Sequence, residues 1–334
     1  MPTRRSFILA LLAAGLPRSS AAEPINSWWQ SWCGRYLHNG RVIDWQQGIN
    51  HSEGQGYGLL LAQAAGDRTV FEQIEEWTQA HLAVRQDRLM AWSRRHEDGR
   101  IDWHNATDGD LFRAWALLRA ERDSGWSGHR DKALAIARDI ADLCLASDPR
   151  APDEWLLLPG AELRRAPGRV LFNPSYMMPR ALRELGEAAG DPRLLRAADH
   201  GETVLSELAA AERLWNWVDI APSGFLPPEE HRAGWGYDAL RVPLYLVWSG
   251  RARHPAVATA LHNLEAGAKP DHVVVTRGED GYPDTQSDRP GFLALRDVAR
   301  CGTLPEWPPG AGDYYSDTMM ALCLLALREG GCAT

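Results

Sequence analysis

Asn50-His51-Ser52-Glu53-Gly54-Gln55-Gly56-Tyr57-Gly58-Leu59-Leu60-Leu61 opens an apolar run that ends at Gly66. Its three- and four-residue spacing is that of a helix, and Ser52 and Gln55 have the separation of a capping box. Three glycines in five residues weaken a helix start. Close approach by something else would explain them, with Glu53 beside the point of contact. The same combination of acid and glycine recurs at two more helix starts. One is Ala106-Thr107-Asp108-Gly109-Asp110-Leu111-Phe112, with Thr107 in a capping position; the other is Trp235-Gly236-Tyr237-Asp238-Ala239-Leu240-Arg241-Val242-Pro243. A single acid there only complements the helix dipole. Three, set among Trp and Tyr, can converge at one end of a helical barrel and line one acidic, aromatic cleft.

Outward from these starts, helical periodicity covers about 54–65, 69–84, 109–122, 130–147, 177–188, 191–209, 238–249, 254–266 and 316–329. Several of these runs stop at or just before a glycine. Strand signals are short: Ile43-Asp44-Trp45, Leu89–Trp92 with Arg100–Trp103, and Val273-Val274-Val275. They do not alternate with helices as a parallel sheet demands. No linker or low-complexity tract divides the chain, so the reading is one mainly helical domain of about a dozen helices.

The 334 residues are 45% hydrophobic and 24% charged, with a mean hydropathy of −0.36, which excludes a disordered or fibrous chain. Fifteen Trp against six Phe and eight Tyr is more indole than a core requires, and the flat face of indole suits a sugar ring. Core packing is the competing use. A net charge of −8 argues against nucleic acid or anionic lipid as partner. The start, Met1-Pro2-Thr3-Arg4-Arg5-Ser6-Phe7-Ile8, leads into about ten apolar residues and then Ser19-Ser20-Ala21-Ala22, an export signal with residues 1–22 removed and a domain at 23–334. It resembles a twin-arginine signal, and an ordinary secretory signal accounts for it equally. Cleavage removes Arg4, Arg5 and Arg18 and takes the net charge from −8 to −11. No later segment is long and apolar enough to span a membrane. The expected location is periplasmic or secreted. Cys33, Cys144, Cys301, Cys323 and Cys332 lack metal-site spacing; they allow up to two disulfides, with Cys144 and Cys323 reading as buried.

Paired carboxylates suit glycosidic bond cleavage, in which one protonates the leaving oxygen and the other activates water or attacks the anomeric carbon. Ser52–Gly58, Ala106–Asp110 and Gly236–Pro243 resemble, in order and spacing, the signature segments of glycoside hydrolase family 8, joined by Asn173-Pro174-Ser175-Tyr176 and Asp313-Tyr314-Tyr315-Ser316-Asp317. The resemblance implies an all-α (α/α)6 barrel with short β-hairpins in its loops, and inverting endo-hydrolysis of β-1,4-glucan without metal or organic cofactor. By motif it makes Glu53 the proton donor, Asp238 the general base and Asp108 the residue that positions the sugar at the cleavage point. Asp110 is supporting, or caps its own helix. Tyr176, Tyr237, Arg241 and Tyr315 fall in segments that face the cleavage point.

Trp92, Trp103, Trp217 and Trp235 are candidate stacking platforms by type and loop placement, with Trp92 also matching a family position; Trp115 reads as core. Compact size, the export signal and the absence of a binding module are most like the family members of bacterial cellulose-synthesis systems, which implies a functional link to the cellulose synthase export machinery. Xylan, chitosan and mixed-linkage glucan remain alternative substrates. A uronate lyase would want a basic cleft, and a non-catalytic glucan binder would tolerate loss of the acids.

Overall fold

The computed structural model describes residues 22–163, 168–278 and 280–332. The leader therefore lies outside the described residues except for Ala22. The helices, in chain order, are α1 Ala22–Tyr36, α2 Ser52–Ala65, α3 Arg68–His81, α4 Thr107–Arg122, α5 Arg130–Leu143, α6 Pro179–Ala189, α7 Pro192–Ala210, α8 Val242–Trp248, α9 Pro255–Glu265, α10 Pro290–Ala299 and α11 Tyr314–Arg328.

Six of these pack side by side in the order α2, α4, α6, α8, α10, α11 and back to α2, which closes an inner ring. The other five lie outside it: α1 on α11 and α2, α3 on α2, α5 on α4 and α6, α7 on α6 and α9, α9 on α8 and α10. This is the (α/α)6 barrel, with a helix-free segment between α10 and α11 where a sixth outer helix would stand. Sequence polarity follows position. Outer α5 buries one stripe, Ala133, Ile136, Ala137, Ile140 and Ala141, whereas all seven residues of inner α8 are buried.

The sequence reading misses two helices, inner α10 and outer α1. Inner α10 is short and buried on nearly every side. α1 does carry a stripe of Ile25, Trp28, Trp29, Trp32 and Tyr36, and it seats the chain's start against its end. Trp32 Nε1 donates to Thr318 Oγ1 at 2.9 Å and Tyr36 OH donates to Asp317 Oδ2 at 2.8 Å. The expected helix 130–147 stops at Leu143, because Leu145–Asp148 pairs antiparallel with Ala151–Leu157. The third motif helix begins late: a 3-10 turn, Ala239–Arg241, precedes α8.

Short antiparallel sheets complete the loops. Ile49–His51, Ser93–Arg95 and Ile101–Asp102 form one that leads directly into α2. Val273–Arg277 pairs with Pro283–Ser287 as the valine run suggested, while Ile43-Asp44-Trp45 supplies only a single bridge, Asp44 to Ile49. A three-stranded sheet of Val170–Phe172, Val218–Ala221 and Gly224–Leu226 has no counterpart in the sequence reading. Cys301 and Cys332 form a disulfide that ties the end of α10 to the chain beyond α11, and Cys144 and Cys323 are buried as expected.

Candidate active site

The glycines at the starts of α2 and α4 allow the two helices to touch backbone to backbone. A Cβ at Gly56 would lie 2.9 Å from Phe112 Cβ, and one at Gly109 would lie 2.7 Å from the backbone nitrogen of Glu53. This contact sets Glu53 and Asp108 against each other. Gly109→Ala therefore pushes directly on the backbone that carries Glu53; the expected result is about 1–3 kcal/mol lost in thermal unfolding, typical of overpacking, and at least a tenfold fall in kcat/KM.

Neither expected Ser/Thr cap forms. His51 caps α2, its Nδ1 accepting from Gly54 N at 3.0 Å, while the N-cap of α4 is Ala106, with no side-chain bond. Gln55 turns inward instead, where its oxygen accepts from Val42 N at 2.6 Å and its amide donates to Thr78 Oγ1 at 2.7 Å. His51 can serve because its ring is wedged edge-on to Tyr314, with centroids 5.6 Å apart.

Asp238 reaches the same place from the opposite side of the ring. Gly236 lets Asn216 close on the turn: a Cβ there would sit 2.7 Å from Asn216 Nδ2, and Asn216 Oδ1 accepts from Ala239 N at 2.9 Å. One 3-10 turn later comes Arg241, buried and at the centre of the site. Its Nη1 bonds Glu53 Oε2 and lies 3.7 Å from Asp108 Oδ2; its Nη2 donates to Asp238 Oδ1 at 2.8 Å and to Ser175 Oγ at 2.8 Å. Ser175 in turn donates to Asn173 Oδ1 at 2.7 Å. A single guanidinium thus spans the gap between Glu53 and Asp238, with its two terminal nitrogens fixed on different carboxylates.

Charge is distributed unevenly among the three acids. Burial pushes Asp108 well above the usual carboxylate range, and Glu53 pushes it the same way. Burial also acts to raise Glu53, but Arg241, the hydrogen bond with Asp108 and His51 outweigh it and hold Glu53 at about 2. The two facing carboxyls share one proton, which rests on Asp108 because Arg241 lies closer to Glu53. Asp238 is raised by burial, against the pull of Arg241.

Glu53, Asp238 and Arg241 open into a cavity of about 690 Å³ whose wall includes Trp92, Tyr176, Trp217, Tyr237 and Tyr315. Tyr315 OH donates to the backbone oxygen of Tyr237 at 2.7 Å, and the two rings meet edge to face. Asp108 lies behind Glu53.

Three candidate binding residues lie elsewhere. Asp110 is buried away from the cavity and does not cap α4; it accepts from Met90 N at 2.7 Å and Asn105 Nδ2 at 3.0 Å, anchoring the segment that ends in Trp92. Burial lifts its carboxyl to about 7. Trp103 is 55% exposed and outside the cavity wall, just after the strand Ile101–Asp102. Trp235 is 4% exposed and lines a different hollow. Six of the fifteen tryptophans, including Trp115 and Trp235, belong to the core, so packing accounts for much of the indole.

Sequence reasoning did not single out His51, Ser175 or the pair Tyr57 and Tyr245, whose hydroxyls bond each other beneath Arg241. Tyr57 and Ser175 stand inside quoted motifs, and that was the available signal. Among the described residues no group of His, Cys, Asp and Glu could hold a metal ion.

Carboxyls on both sides of a groove broad enough for a sugar chain define the class of protein, a glycoside hydrolase. The profile of the glycosyl hydrolases family 8 matches residues 1–329, and the chain belongs to that family. A probable endoglucanase from Novacetimonas hansenii is 31% identical over 343 residues, covering 96% of this chain and 95% of its own. An endo-β-1,4-glucanase from Acetobacter xylinum superposes with a TM-score of 0.79 at 28% identity, covering 92% of this chain and 99% of that one. A family 8 endoglucanase from Klebsiella pneumoniae also gives 0.79, at 26% identity, with 91% and 99% covered.

Proposed function

We propose that the protein is an endo-1,4-β-glucanase that cleaves internal bonds of cellulose-type glucan with inversion. The observation that carries this reading is the guanidinium of Arg241 suspended between Glu53 and Asp238 in an open aromatic groove. Glu53 gives a proton to the glycosidic oxygen as that bond breaks. Asp238 removes a proton from the water whose oxygen joins the anomeric carbon on the opposite face. In the free site the proton shared by Glu53 and Asp108 rests on Asp108, and a glycosidic oxygen seated against Glu53 draws it across. Asp108, 1% exposed and behind Glu53, acts through Glu53 and does not itself reach the sugar, contrary to the positioning role expected of it. Tyr176, Tyr237, Tyr315, Trp92 and Trp217 bind the chain on either side; nothing in the reaction calls for a metal or organic cofactor.

Proton NMR of a soluble cellooligosaccharide of six glucose units tests substrate and stereochemistry together. Early α-anomer is the expected product. Early β-anomer would mean retention and remove Asp238 from its role as base.

The protonation pattern makes a second prediction. Asp238 must be ionised and its pKa is raised, so the acidic limb of kcat/KM lies above the ordinary aspartate range. The carboxyl pair must keep its proton, so activity falls again as pH rises past the raised Asp108 step, giving a bell. Asp108→Asn leaves Glu53 alone with Arg241, which holds it low. The alkaline limb should then move to lower pH while the acidic limb stays; an unmoved alkaline limb would show that the pair does not store the proton.

We further propose that residues 1–22 direct export and that 23–334 form the single catalytic domain, active in the periplasm or outside the cell. The Cys301–Cys332 disulfide supports an oxidising compartment. A role in trimming glucan during cellulose export rests on the subgroup resemblance. Unchanged cellulose yield and fibre morphology after gene deletion would count against it.

A further inference from the structure

Beside the catalytic cavity lies a smaller hollow, about 340 Å³, between the end of α1, the turn that carries Trp45 and Gln46, and the start of α11. Gln46, Asp313 and Tyr314 line both spaces, so the hollow continues the groove. Trp45 forms part of its wall and is 52% exposed. Among the described tryptophans only Trp45, Trp92 and Trp103 are exposed, and Trp92 already stands on the wall of the catalytic cavity. An indole left half in water forfeits burial, and a flat ligand laid against it recovers that area.

The indole is fixed in advance. Trp45 Nε1 donates to the backbone oxygen of Arg35 at 2.9 Å, and its ring meets His96 edge to face with centroids 5.2 Å apart. Asp44 Oδ1 accepts from Gln46 N at 2.9 Å and from Gln47 N at 3.2 Å, which holds the turn beneath it. A ligand that binds there has little ordering left to impose.

Charge on the wall is matched. Asp313 pairs with Arg289, and Arg35 donates to Asp317 Oδ2 at 2.7 Å and to the carbonyl of Gly312 at 2.9 Å. The wall therefore favours neither an anion nor a cation. Gln46 Nε2 reaches Asp313 Oδ2 at 3.4 Å, a long contact that lets the amide turn toward a hydroxyl. Indole beside an amide and a carboxylate suits a neutral, hydroxyl-rich ring.

We propose that Trp45 is the platform of a distal glucan subsite, which takes one more glucose unit of a chain that already fills the catalytic cavity and runs out past Gln46 and Asp313. The proposal rests on the glucanase reading and adds to it a preference for long chains, because a short oligosaccharide fills the catalytic cavity without reaching Trp45.

Three variants test it: Trp45→Ala, Trp45→Leu and Trp45→Tyr. Each is assayed on cellooligosaccharides of three to six glucose units and on hydroxyethyl cellulose, with Tm measured alongside. For Trp45→Ala the expected result is a rise in KM that grows with chain length and reaches about tenfold on the polymer, the equivalent of 1.4 kcal/mol, with kcat within twofold of the parent. Trp45→Tyr keeps a flat ring and should recover much of the polymer KM. An unchanged polymer KM in Trp45→Ala overturns the subsite, as does an equal rise at every chain length at unchanged Tm. If Trp45→Ala lowers Tm, the other two decide: both lose the bond to Arg35 and only tyrosine offers a flat face, so equal polymer KM in the two overturns the subsite. A parent enzyme that cleaves none of these substrates overturns the glucanase reading itself, and the subsite with it.

Discussion

Glu53→Gln is expected to lower kcat/KM on cellooligosaccharide about 10³- to 10⁴-fold while leaving the affinity for the chain nearly intact. The amide keeps the size of the side chain, and its oxygen can still accept from Arg241, but it has no proton to give; general acid assistance is worth about 10²–10⁴. Asp238→Asn should cost a similar factor by a different route, since the asparagine cannot take a proton from water. The substrates separate the two. A β-glucoside with a good leaving group, such as a dinitrophenyl cellobioside, departs without protonation, so it should restore much of the rate to Glu53→Gln and little to Asp238→Asn. Full activity in either variant, or equal rescue of both, would overturn the assignment. Calorimetric binding of cellohexaose by Glu53→Gln supplies the affinity.

Arg241→Met carries the second large effect, and here activity and stability should fall together. Arg241 is buried, contacts Glu53, Asp238 and Ser175, and lies near Asp108. Methionine fills similar space but leaves three acids around an apolar side chain. Breaking such a buried arrangement costs about 3–5 kcal/mol, and losing a positioned donor costs about 10²–10³ in rate. The sign of the pH dependence follows. Without the guanidinium, the folded pKa of Glu53 rises toward the value burial alone would set, and that of Asp238 rises further. A carboxyl whose folded pKa lies above its unfolded value destabilises the fold increasingly as pH rises. The Tm deficit of Arg241→Met should therefore be large at pH 7.5 and much smaller near pH 5. A deficit independent of pH would mean that the arginine acts through packing and not through charge.

The two helices absent from the sequence reading show how far local pattern reaches. α1 has its period written in Ile25, Trp28, Trp29, Trp32 and Tyr36, but it adjoins an apolar leader that draws attention from it. α10 is ten residues long and buried on nearly every side. Inner α2 and α4, buried as thoroughly, were legible from their glycine-marked starts, and outer helices such as α5 from a wet and a dry face.

At the site, residue type and spacing alone brought out Glu53, Asp108 and Asp238 as acids at glycine-marked helix starts, and the five ordered motifs pointed to the family. Those signals are local, since a glycine where a helix begins at a cost in stability can be read without knowing what approaches it. What approaches it depended on the ring. Only the packing of α2 on α4 shows that the partner of Gly109 is the backbone of Glu53, and only closure of six inner helices brings Asp238 within reach of the same space. The roles of His51 and Ser175, the inward turn of Gln55 and the withdrawal of Trp235 from the groove have the same origin. Each depends on contacts between residues far apart in the chain, and burial, hydrogen-bond partners and pKa are set by such contacts rather than by the neighbours a sequence lists in order.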